Sequence, residues 1–154
     1  MAKMYLDQYE RVKRWYQRFK SISESKEHNM PTDYYQDEVY AFFINCYHLK
    51  DWIKNDPSTN ITEAEIENFV NSAEVLKVCG DLCNGSKHLT IKNPKLSTNT
   101  RIGSRHFALN LGSIFPIIHI EYEVISGDKV YDAFTLATNC LNAWETFLKK
   151  KKLL

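Results

Sequence analysis

The chain is short of the features that mark several large protein classes. It has no Gly-rich phosphate loop and no dinucleotide fingerprint, so nucleotide chemistry of those kinds is excluded. It has no Cys-x-x-Cys pair and no His-Glu-x-x-His run, the spacings that most often hold zinc. No apolar run approaches the length of a membrane span. The first sixteen residues are charged and carry no apolar stretch, so the reading is no signal peptide and a cytoplasmic protein. Net charge is only +1, too little to draw the whole molecule onto nucleic acid or membrane. There is no internal repeat and no low-complexity tract. With 154 residues, the chain reads as one domain, 1–154, large enough for a real core.

The most local absence concerns charge of one sign. From Leu82 to Ile120 there is no Asp or Glu, yet there are five Lys/Arg and three His. Such a segment suits an anion, either a nucleic-acid backbone or an acidic protein. It also suits internal balance of acidic helices.

Apolar periodicity defines the remaining architecture. Tyr5, Tyr9, Val12, Tyr16, Phe19 and Ile22 recur at helical spacing, predicting a first helix over about 4–25. Thr32 is the expected cap of a second helix over about 32–56, with Val39, Phe42, Phe43, Cys46, Leu49 and Ile53 inward. A second row on that helix, Ile44, His48 and Trp52, should meet another part of the chain or a second copy. Thr62 and Glu65 form a capping box for a third helix over about 62–84, with Ile66, Phe69, Val70, Ala73 and Leu76 inward. Lys77 and Asp81 are expected to emerge from its later half, and Asn84-Gly85 to end it.

A β segment over about 89–131 follows. Leu89 to Ile91, His106 to Leu111 and Ile117 to Ile125 read as strands, and Ser126-Gly127-Asp128 as a turn. Asp132 caps a last helix over about 133–150, with Leu136, Cys140, Ala143, Trp144, Phe147 and Leu148 inward. The fold class is therefore α+β, mainly α: a four-helix bundle with a small antiparallel β insertion between helices three and four. The four cysteines, Cys46, Cys79, Cys83 and Cys140, all fall at core-like helical positions and read as reduced, buried thiols. No metal and no cofactor is expected.

Chemistry concentrates in Cys83-Asn84-Gly85-Ser86-Lys87-His88. His88 titrates near neutrality and could move a proton. Asn84 could orient a phosphate or sugar hydroxyl, and Lys87 brings positive charge. The structural alternative is a helix C-cap followed by an ordinary residue. His48 and Asp51 lie three residues apart on the second helix, close enough for the carboxylate to orient the imidazole. If their face meets the end of the third helix, they join Asn84 and His88 in one polar site. Arg101 and Arg105 are candidate phosphate contacts, since guanidinium forks match phosphate geometry. Arg101 and His106 also stand five apart, but in a loop leading into a strand. Cys83 as a nucleophile would need a base and an electropositive setting.

A helical bundle with a polar residue and a His at the end of its third helix resembles the HEPN superfamily. Those domains are four-helix bundles that often dimerise, and many are metal-independent ribonucleases of toxin–antitoxin and antiviral systems. Their motif is an Arg, usually followed by Asn, Asp or His, with a His four to six residues beyond the Arg. Here Asn84 to His88 corresponds to the Asn-x-x-x-His half, while Cys83 occupies the Arg position. The β insertion is not a standard part of that family. The resemblance implies a homodimer that binds or cleaves RNA, with His88, Asn84 and Lys87 catalytic and His48 and Asp51 in support. It equally admits an inactive relative, an antitoxin, adaptor or inhibitor of a bacterial or phage system that binds a protein partner, with Cys83 marking lost catalysis.

Overall fold

The computed structural model describes residues 2–24, 30–88, 92–97, 99–107 and 119–154. Its described elements are α1 (Met4–Ser23), α2 (Thr32–Asn55), α3 (Glu63–Ser72), α4 (Glu74–Lys87), β1 (Arg101–Phe107), β2 (His119–Ser126), β3 (Lys129–Asp132) and α5 (Ala133–Lys150). The protein is mainly helical, with a small antiparallel sheet.

The central helix is α2. Val39, Phe42, Phe43, Cys46, Leu49 and Ile53 are all fully buried, as their spacing predicts. They pack against α1 on one side and α4 on the other. Phe19 of α1 meets Phe42, Phe43 and Phe134, with ring centroids 5.4–6.1 Å apart. Aromatic rings in these tilted arrangements add to the area they remove from water. A second aromatic group, Phe69, Trp144 and Phe147, joins α3 to α5.

Long-range polar contacts fasten the helix ends. The N-terminus of α1 has no capping side chain of its own. Asp56, just past α2, accepts the Tyr5 backbone N–H at 3.0 Å, satisfying a donor that a helix start leaves open. The Tyr5 hydroxyl donates to the Leu153 carbonyl at 2.7 Å, tying α1 to the chain's last residues.

The capping box at Thr62 and Glu65 is present, and Asp132 accepts the Thr135 N–H at 2.7 Å. Other boundaries differ from expectation. Thr32 is already helical; Pro31 holds the N-cap position, and no side chain caps this end. The expected third helix is two helices, α3 and α4, parted at Ala73, whose ψ of 108° is extended. Ser72 turns its hydroxyl back onto the Phe69 carbonyl at 2.7 Å, a local bond that competes with helix continuation. Beyond the break, α4 packs on α2, α5 and β1. Helix α4 runs through Asn84-Gly85 to Lys87, and Gly127 is the one glycine with positive φ among the described residues.

The sheet has the order β1-β2-β3. Ile120, Tyr122 and Val124 are buried on one face of β2, which packs on α1 and α5. Gly127, with φ +59°, makes the tight turn into β3. Strand β1 begins at Arg101, so residues 101–103, expected in a loop, belong to the sheet. The strand expected at 89–91 and residues 108–111 and 117–118 of the other two lie outside the described residues.

Among the described residues, no helix is long and apolar enough to cross a membrane. All four cysteines are free and buried.

Candidate functional site

The site is built where the last turn of α4 reaches α2. Its approach depends on Gly80. A Cβ there would lie 2.6 Å from Tyr47 Cε2 and 2.9 Å from Cζ, so only glycine lets the helix sit this close to the Tyr47 ring. Asp81 follows. It is fully buried rather than emerging. The reason is a set of partners 14 to 16 residues ahead: its carboxylate accepts the backbone N–H groups of Lys95 (2.5 Å), Leu96 (2.6 Å) and Ser97 (3.1 Å). A buried carboxylate survives when amide donors surround it. Asp81 thus clamps residues 95–97 of the acid-free segment onto α4.

One turn on, Cys83 Sγ lies 3.7 Å from His48 Nε2, and Lys87 Nζ lies 3.0 Å from the same nitrogen. The second row of α2 is met from within the chain at two points, while Trp52 stays exposed. His48 receives the end of α4, and Trp52 receives the Arg11 guanidinium 5.4 Å from its ring centroid. An ammonium can only donate, so the Lys87 contact requires Nε2 to be the unprotonated nitrogen. Burial lowers the His48 pKa, and the nearby Lys87 charge lowers it further. His48 is held as a neutral acceptor with its proton on Nδ1. Burial raises the pKa of Cys83, with Lys87 opposing, so Cys83 is a neutral thiol. This is the wrong state for a nucleophile.

Asn84 is half-buried, and its carbonyl accepts the His88 backbone N–H at 3.1 Å. Lys87 and His88 are exposed on the same terminal turn. Asp51 does not hydrogen-bond His48. It lies 3.5 Å from Lys50 and 3.8 Å from Lys54, and acts on the imidazole only as a charge that opposes the pKa drop. Arg101 is exposed at the start of β1. Arg105 stands opposite Glu121 in the β1–β2 register. Among the described residues, no interaction joins Arg101 to the His48–Lys87 group.

Two structural contributors escaped sequence reasoning. Gly80 has no local signal, because its reason is a ring on another helix. Asp81 carries one weak signal: it is the last acid before the acid-free segment that it anchors.

No protein-family model, curated protein or solved structure matches this chain.

Proposed function

We propose that the chain is a HEPN-like domain that acts on RNA as a metal-independent endoribonuclease. The observation that carries this reading is the 3.0 Å approach of Lys87 Nζ to His48 Nε2 on the turn that also bears Asn84 and His88. A cation in contact with a neutral imidazole, with an amide and a second imidazole on the same helix end, supplies groups that phosphodiester cleavage without metal can use.

In this reading a bound phosphate draws Lys87 from His48, and the ammonium offsets charge at phosphorus. The freed Nε2 takes the proton of the neighbouring 2′-hydroxyl as its oxygen attacks phosphorus. The bond to the 5′-oxygen breaks, and His88 supplies the proton that oxygen needs. The products are a 2′,3′-cyclic phosphate and a 5′-hydroxyl. Asn84 positions the ribose or phosphate, and Arg101 and Arg105 hold flanking phosphates. The family resemblance brings with it a homodimer and a role in a defence or toxin–antitoxin system.

The test is cleavage of a mixed RNA pool in EDTA by wild type, His48→Ala and His88→Ala. Cleavage by the wild type that both substitutions abolish supports the assignment. Wild-type inactivity, or identical cleavage by all three, removes it.

One observation favours a second reading. The position that holds Arg in HEPN nucleases is here a buried neutral thiol, Cys83, which offers no positive charge. A catalytically inactive interaction module would bind its partner unchanged in the His88→Ala variant and cleave nothing in any form.

A further inference from the structure

Three of the four cysteines converge although they are distant in the chain. Cys46 from α2, Cys79 from α4 and Cys140 from α5 place their sulfur atoms all within 4.8 Å of one another, and each residue is fully buried. The cluster is separate from the His48–Lys87 group. From these distances and this donor set we infer that Cys46, Cys79 and Cys140 form a three-sulfur site for a soft, three-coordinate metal ion, monovalent copper being the ion of that class.

The geometry is close to what such an ion needs. With metal–sulfur bonds of about 2.3 Å, a planar three-sulfur site has its sulfurs about 4.0 Å apart. Closure from the observed positions takes a shift of under about an ångström. The donor set selects the ion. Thiolates favour soft metals. Zinc favours four ligands, and among the described residues no further Cys, His, Asp or Glu atom joins this group.

Trp144 Nε1 is fully buried with no hydrogen-bond partner among the described residues. It lies beside the Cys46 thiol. A thiolate or metal-bound sulfur is a better acceptor for this N–H than a thiol. Cys79 and Cys140 now donate to the Phe43 and Val75 carbonyls at 3.3 Å. Those carbonyls lie inside helices and keep their helical N–H partners when the thiol protons leave. Each thiol that binds as thiolate releases one proton, and the ion's oxidation state does not change.

The experiment uses the full chain, reduced and kept free of oxygen, with monovalent copper delivered from a competing chromophoric chelator. The expected result is one equivalent of copper bound, with three sulfur neighbours by X-ray absorption. Cys46→Ser, Cys79→Ser and Cys140→Ser should each weaken binding by at least about tenfold, while Cys83→Ser leaves it unchanged. No uptake by the wild type overturns the site. So does equal loss in Cys83→Ser, or copper bound through fewer than three sulfurs. The sulfur count on the wild type decides the matter even where a serine variant fails to fold.

Discussion

Cys79 and Cys83 are the same residue type, one turn apart on α4, and both are fully buried. Their surroundings are nevertheless opposite. Cys79 faces inward between α2 and α5, among two other thiols, with its S–H on the Phe43 carbonyl. Cys83 faces the rim, against an imidazole that an exposed lysine also contacts. A single turn of helix separates a sealed sulfur cluster from a polar edge open to ligands. The inner half of α4 is held by close packing, and its outer turn carries the titratable groups.

Substitutions in the inner half should therefore cost stability, and those on the outer turn should change proton affinity and ligand binding instead. The largest expected effect is at Asp81. Asp81→Ala strands three amide donors and releases the 95–97 segment, at a cost of about 3 kcal/mol. Urea unfolding measures it, and a loss of under about 1 kcal/mol would show that the clamp adds little. Next is Gly80→Ala. The added methyl meets the Tyr47 ring and should destabilise by about 2 kcal/mol. An unchanged midpoint would mean that α4 moves off the ring without penalty.

Where the outer turn of α4 meets His48 of α2, the effects are smaller. The His48 pKa is lowered in the folded state, so the unfolded chain binds the proton more readily. Stability from this group is complete above the ordinary value of 6.5 and declines as pH falls below it. Melting temperatures from pH 8 to about 5 should fall less in His48→Gln than in wild type. The smallest effect is expected from Lys87→Gln. It removes a neighbouring positive charge, so the His48 pKa should rise toward its ordinary value while unfolding is nearly unchanged. An imidazole NMR titration reads the shift, and a fall in pKa would contradict the 3.0 Å contact.

Much of the fold was legible because it rests on local pattern. The inward rows of α1, α2 and α5, the buried face Ile120-Tyr122-Val124, the Thr62–Glu65 capping box and the Asp132 cap all follow from spacing and side-chain chemistry. The break at Ala73 was not legible, since apolar residues continue through it on both sides. For the site, the meeting of the His48 face with the end of α4 was anticipated as a condition, and the residues that meet are Cys83 and Lys87. Asp51 was expected at the imidazole, but two nearer lysines hold it.

Periodicity alone determined which face of each long helix is buried, because a 3.6-residue repeat of apolar groups leaves one face to remove from water. Composition alone placed positive charge without acid between Leu82 and Ile120. Only the tertiary structure decided what those faces meet. The burial of Asp81, the need for glycine at position 80, the thiol group of Cys46, Cys79 and Cys140, and the Lys87–His48 contact each depend on atoms from separate elements. Sequence spacing carries no record of such distances, which are set when helices pack at angles their side chains jointly allow.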